Sequence, residues 1–121
     1  MCLDMYREEI LDHSKRPRNE GKLEQEGVES EGKNPSCGDE TDIYLKIENG
    51  EIKEIKHETD GCAISTASTS ILSNRLVGMS TEEVKGLDSD WVQNELEIDL
   101  SPMRIKCAML PVKTIQEALK E

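Results

Sequence analysis

Near the start of the chain Leu3, Tyr6, Ile10 and Leu11 recur at helical spacing until Pro17 stops the pattern, which predicts an amphipathic helix over about residues 3–14. Residues 19–36 are polar and broken by Gly21, Gly27, Gly32 and Pro35, leaving room for at most one short strand around Leu23 to Val28. Ile43, Leu45 and Ile47 then alternate with Asp42, Tyr44 and Lys46, the period of a half-buried strand. Asn49-Gly50 supplies the two left-handed positions of a type I′ turn, so a hairpin follows. On the return strand Ile52 and Ile55 are out of period-two phase, which predicts a bulge or an edge there.

After Gly61 the period changes. Ile64, Ala67, Ile71, Leu72 and Leu76 fit a helix to about Val77, ended by Gly78. Its hydroxyl load, Ser65, Thr66, Ser68, Thr69 and Ser70, lowers intrinsic helix propensity, so packing must hold it. Ser80 with Glu83 is a capping-box pattern opening a short helix through Leu87. Residues 88–101 read as loop with Trp91 as an anchor, and Pro111 places the start of the last helix near Cys107 to Leu110, running to Leu119.

Composition narrows the function. The chain has 121 residues, one domain's worth, and we expect a single domain over residues 1–121. No apolar run approaches the roughly 20 residues a bilayer span needs, and Met1 to Arg18 has no apolar stretch of the kind a secretory signal carries, so a cytoplasmic protein is expected. Asp and Glu number 26 against 15 Lys and Arg, a formal charge of −11 that repels nucleic acid. Residues 20–60 hold 13 of those carboxylates against five lysines, whereas from Pro102 onward Arg104, Lys106, Lys113 and Lys120 face only Glu117 and Glu121. Solvated faces explain this pattern; steering by a charged partner surface is the sharper alternative.

Four cysteines, Cys2, Cys37, Cys62 and Cys107, occur without a secretion signal, which favours metal binding or thiol chemistry over a disulfide framework. None forms a Cys-x-x-Cys pair, and spacing alone does not separate ligands from buried small hydrophobes. Their settings say more. Cys37 sits in Asn34-Pro35-Ser36-Cys37-Gly38-Asp39, with a carboxylate two residues away, able to reach the same ion. Cys62 opens one predicted helix and Cys107 lies at the start of another, positions that favour the thiolate form.

Cys37-Gly38-Asp39, then Gly61-Cys62-Ala63-Ile64-Ser65 with Ala67-Ser68, then Arg104-Ile105-Lys106-Cys107-Ala108, resemble the IscU/SufU/NifU-N-terminal family of iron–sulfur cluster assembly scaffolds. Tyr6, Ile10-Leu11-Asp12-His13 and Pro17-Arg18-Asn19 match as well, so the resemblance covers nearly the whole chain. It implies an α+β fold of IscU/SufE type, a small antiparallel sheet of about three strands packed against helices. It also implies a metal site of Cys37, Cys62 and Cys107 with Asp39 as fourth ligand or modulator, a [2Fe-2S] or [4Fe-4S] cluster as cargo, and a cysteine desulfurase of the IscS/SufS type as sulfur donor. Apo iron–sulfur proteins would receive the cluster, and two chains sharing it in a homodimer is a further implied state. Three thiolates and a carboxylate hold a cluster less firmly than four thiolates, which suits a protein that gives it away. The bland reading of Asp39 is a turn-stabilising residue.

The chain departs from the family pattern in two places. IscU proteins have a His before the last cysteine; here Lys106 stands there, as in SufU-like members, and an ammonium cannot ligate. Lys106 would instead neutralise the thiolate-rich site and modulate Cys107, the candidate persulfide acceptor, or simply be an exposed charge. Yet Cys62 and Cys107 are 45 residues apart, which leaves no room for the helical hairpin that SufU-like members insert. The Leu-Pro-Pro-Val-Lys motif of chaperone-dependent IscU proteins is degraded to Leu100-Ser101-Pro102-Met103-Arg104, which argues against an Hsp70-type partner. Three readings stay open: a cluster scaffold, a zinc-bound sulfur acceptor of SufU type using the same four residues, and a structural zinc site. Cys2 reads as a spare thiol near the terminus or an extra ligand, and His13 and His57 are not first-choice ligands.

Overall fold

The computed structural model describes residues 8–23, 27–34, 38–96 and 100–119, without the side chains of Glu8 and Met103. Cys2, Leu3, Tyr6 and Cys37 lie outside the described residues. The elements run α1 (Glu8–Lys15), β1 (Val28–Asn34), β2 (Asp39–Glu48), β3 (Glu51–Asp60), α2 (Ala63–Arg75), α3 (Thr81–Lys85), α4 (Ser89–Leu96) and α5 (Pro102–Ala118). The result is α+β: a three-stranded antiparallel sheet in the order β1-β2-β3, with α2 and α5 packed on its inner face and α1 against α2.

The hairpin forms where Asn49-Gly50 predicts it, with φ of 56° and 78° at the two turn residues. The phase break is a bulge. Lys46 pairs with Glu54 and Ile47 with Ile52, so Lys53 is the extra residue that brings both Ile52 and Ile55 to the buried face. Strand β1 lies later than the Leu23 to Val28 expected from the sequence. Val28-Glu29-Ser30-Glu31-Gly32-Lys33-Asn34 has no apolar alternation, and its partner β2 makes it a strand by pairing Val28 with Leu45 through Asn34 with Asp39. At Gly32 this strand passes so close to α5 that a Cβ would overlap Oγ1 of Thr114. On the outer face Glu31, Asp42 and Glu58 stand in one row across the three strands. Tyr44 belongs to the same face; desolvation, then the charges of Glu58 and its neighbours, push its phenol up to about 12.

Helix α2 buries nearly its whole hydroxyl set, and the buried hydroxyls find partners: Ser68 donates to the Ala108 carbonyl at 2.7 Å, Thr69 to the Ser65 carbonyl at 2.8 Å and Ser73 to the Ser70 carbonyl at 2.6 Å. Ser80 and Glu83 complete the capping box of α3. Two sequence expectations fail downstream. Residues 89–96 are a helix, not loop: the Asp88 carboxylate accepts from the Trp91 N–H at 3.0 Å, and Val92 and Leu96, four apart, bury one stripe against α5. Helix α5 starts at Pro102, behind the cap Ser101, and Pro111 lies in its interior. Pro102 takes the first-turn position that suits a proline. Pro111 has no N–H for the Cys107 carbonyl, and the hydroxyls of Ser68 and Thr114 donate to the Ala108 and Leu110 carbonyls beside it.

Both histidines hold the N-terminal segment to this body. Ser70 Oγ accepts from the Arg18 N–H at 2.7 Å and shares a hydrogen bond of 2.6 Å with Nδ1 of His13. His57 Nε2 donates to the Arg18 carbonyl at 2.8 Å, and its Nδ1 accepts from Thr59 at 3.1 Å. Burial holds both imidazoles below the usual histidine pKa.

Candidate metal centre

The three strands and two helices meet at one end of the sheet. Strand β1 exits at Asn34 and β2 enters at Asp39, its register partner. Between them Gly38, at φ 75°, donates its N–H to the Asn34 carbonyl at 2.9 Å, a left-handed turn that glycine adopts freely. Strand β3 leaves through Gly61 into Cys62, which caps α2 with extended backbone while its Sγ accepts from the Ser65 N–H at 3.5 Å. A Cβ at Gly61 would lie 2.5 Å from both Asp39 Oδ1 and Ser65 Oγ, so only glycine lets the chain turn this close to the carboxylate. Cys107, on α5, completes the group.

One carboxylate oxygen of Asp39 and the sulfurs of Cys62 and Cys107 all lie within 4.8 Å of one another. Asp39 is 1% exposed, yet both of its oxygens are engaged: Oδ1 accepts from the Cys62 N–H at 2.9 Å and Oδ2 from Asn34 Nδ2 at 3.3 Å. Oδ2 stands 3.9 Å from Cys62 Sγ. Asn34 Nδ2 also reaches Cys107 Sγ, at 3.7 Å. Zinc–sulfur bonds of about 2.3 Å and zinc–oxygen bonds of about 2.0 Å put tetrahedral donors roughly 3.5–3.8 Å apart, so these three atoms need only a small contraction to share one ion. Two sulfurs and a carboxylate are a donor set suited to zinc or to iron of a cluster.

Of the residues singled out in the sequence, Asp39, Cys62 and Cys107 come together, while Cys37, two positions before Asp39 in the chain, lies outside the described residues. Cys62 occupies the helix-start position expected of it. Cys107 does not: it is in the second turn of α5 and fully buried, whereas Cys62 is half-buried. Lys106 is exposed and lines a groove of about 400 Å³ between β1 and α5, with Lys33, Leu110, Lys113 and Thr114. His13 and His57 are engaged elsewhere. Asn34 and Ser65 reach the site as well, with no role expected from the sequence; their place within the quoted cysteine motifs is the only signal for either.

A family model described as the NifU-like N terminal domain matches residues 5–121. The chain belongs to the NifU-like N-terminal domain family. This NifU-like chain is 40% identical to the iron–sulfur cluster assembly scaffold protein IscU of Thermotoga maritima, across 97% of this chain and 94% of the relative. It is 32% identical to the zinc-dependent sulfurtransferase SufU of Bacillus subtilis, over 95% of this chain and 89% of that protein. Among solved structures, a candidate iron–sulfur cluster assembly scaffold for the SUF system from Fervidobacterium islandicum superposes with a TM-score of 0.81 at 34% identity, covering 99% of this chain and all (100%) of the other. A NifU-like N-terminal protein of Brucella abortus shares the fold, with a TM-score of 0.80 at 18% identity. Among the described residues no helix is long and apolar enough to cross a membrane.

Proposed function

We propose that this NifU-like protein is a scaffold on which an iron–sulfur cluster is assembled from iron and desulfurase-derived sulfur and then handed to apo-proteins. The observation that carries the reading is the convergence of Asp39, Cys62 and Cys107 at one end of the sheet in a chain of this family. Cys37 joins them as the third thiolate and Asp39 serves as the labile fourth ligand. A carboxylate binds iron more weakly than a fourth thiolate would, which favours release. The cargo is a [2Fe-2S] cluster, with [4Fe-4S] as the larger form, held by one chain or bridged in a homodimer. The whole chain acts as one such domain in the cytoplasm, as a carrier and not an enzyme, with a cysteine desulfurase of the IscS/SufS type as donor.

The second reading is a zinc-bound sulfur acceptor, favoured by the SufU relative and by Lys106 at the position where IscU proteins have His. In it a thiolate attacks the outer sulfur of the desulfurase persulfide; the donor S–S bond breaks, a new S–S bond forms on the acceptor, and the donor cysteine leaves as thiolate. Cys107, with Lys106 as modulator, is the acceptor suggested by sequence. Its burial against the partial exposure of Cys62 makes Cys62 the more accessible of the two in this closed arrangement.

Anaerobic reconstitution with iron, cysteine and a desulfurase tests the choice. The scaffold reading expects broad visible bands, with iron and sulfide in near-equal amounts, abolished by Cys37→Ala. Tightly held zinc, no chromophore and stimulated desulfurase turnover would overturn it in favour of the sulfur acceptor. Asp39→Ala tests the carboxylate: a scaffold should transfer its cluster more slowly, whereas a purely structural zinc site has no transfer to change and would show lost stability only.

A further inference from the structure

Strand β1 exposes or half-exposes every side chain except its last, Asn34, which is 7% exposed. A strand whose one buried side chain is a primary amide needs a reason for it, because burying an amide is unfavourable unless its hydrogen bonds are met. The turn that follows does not supply that reason, since Gly38 bonds to the backbone carbonyl of Asn34 and would do so with any side chain. The amide nitrogen instead points at the candidate centre, 3.3 Å from Asp39 Oδ2 and 3.7 Å from Cys107 Sγ. One NH₂ group has two protons, one for each acceptor. It is thereby the link between a carboxylate on β2 and a sulfur on α5 that have no backbone connection near the site.

We propose that Asn34 is a positioning residue of the metal centre, whose amide fixes the Asp39 carboxylate and the Cys107 sulfur relative to each other and tunes both as donors. This rests on Asp39 and Cys107 being ligands. With Oδ1 held by the Cys62 N–H and Oδ2 by Asn34, the carboxylate cannot rotate about its Cβ–Cγ bond without breaking a hydrogen bond, so the oxygen presented to an ion is already chosen. An N–H donor to a ligating sulfur also withdraws electron density from it, one of the levers by which a protein adjusts a metal–thiolate bond. Asn34 is thus a further residue, besides the ligands, on which affinity for the ion depends.

Three variants test this: Asn34→Ala removes the amide, Asn34→Asp keeps its shape but replaces the NH₂ with an acceptor, and Cys107→Ala serves as the reference for a lost ligand. Each is titrated with Zn²⁺ and with Co²⁺, and the sulfur-to-cobalt charge-transfer band is recorded; circular dichroism of the metal-free protein checks the fold. We expect about 10- to 100-fold weaker binding in both Asn34 variants, with the band displaced to lower energy in Asn34→Ala as the sulfur loses its hydrogen bond. Wild-type affinity and an unshifted band in folded Asn34 variants would overturn the role of Asn34 alone. Wild-type affinity and an undiminished band in Cys107→Ala would overturn the ligand reading, and Asn34's role with it. If Asn34→Ala does not fold, Asn34→Asp in a chain of native circular dichroism carries the same decision.

Discussion

Gly61 passes so close to Asp39 that a methyl group on its Cα would sit 2.5 Å from the carboxylate oxygen Oδ1. The same methyl would meet the Ser65 hydroxyl, so neither side of the turn can yield freely. Gly61→Ala should therefore push the carboxylate off the Cys62 N–H, weakening zinc or cluster retention. Crowding of this kind typically costs about 1–3 kcal/mol. Thermal unfolding and zinc titration of the same variant check it: a metal affinity equal to wild type in a folded protein would show that Asp39 does not need its present orientation.

Gly32 and Thr114 make the second close approach, and it is structural. Gly32→Ala should destabilise the protein by about 1–3 kcal/mol through overpacking between β1 and α5. Adding Thr114→Ala should restore part of the loss, because the overlapping oxygen is gone, and a double-mutant cycle in urea measures the coupling. Additive effects would argue against contact between the two positions.

The two histidines predict a pH dependence. Burial lowers the folded pKa of both His13 and His57 below the ordinary histidine value of 6.5. The unfolded chain then binds protons that the folded chain refuses, so the stability these groups contribute is complete above about pH 6.5 and is lost as pH falls toward the depressed folded values. His13 faces Ser70, Glu9, Asp12, Arg18 and Arg75, and His57 faces Thr59, Glu20, Lys56 and the Arg18 carbonyl. Unfolding midpoints between pH 7.5 and 5.5, a window of order one unit either side of the histidine pKa, should fall for the wild type and flatten in the double variant His13→Gln, His57→Gln.

Thiol exposure predicts an order of labelling. Cys62 is half-buried at the start of α2 and Cys107 is fully buried inside α5, so a limited pulse of iodoacetamide should modify Cys62 before Cys107. Peptide mass spectrometry reads the two sites directly. Bound zinc should slow the labelling of both if both are ligands, and removing it with a chelator should restore the difference.

Helix α4 offers a check on the part of the fold that the sequence hid. Leu96 is 1% exposed and belongs to the core, so Leu96→Ala should cost about 2–5 kcal/mol, as for other buried leucines. A loop anchored only at Trp91 would lose almost nothing from the same change, so denaturant unfolding of Leu96→Ala distinguishes them.

The sequence by itself determined what depends on neighbours in the chain. The Asn49-Gly50 turn, the phase break at Ile52 and Ile55, the Ser80 capping box and the placement of Cys62 at a helix start are all local, set by φ preferences, periodicity and a cap within a few residues. The cysteine motifs likewise carried the family on their own. Tertiary structure decided the rest. Strand β1 has no apolar signal and exists because β2 offers it a ladder; α4 has only Val92 and Leu96 to mark it, and α5 gives that stripe a surface to cover. The start of α5 moved because two prolines compete for the first-turn position, and the surrounding hydroxyls make an interior Pro111 tolerable. Asn34 is the clearest case: five residues from Asp39 and 73 from Cys107, it meets both only when sheet and helix close on each other, and no periodicity encodes a contact made across three elements.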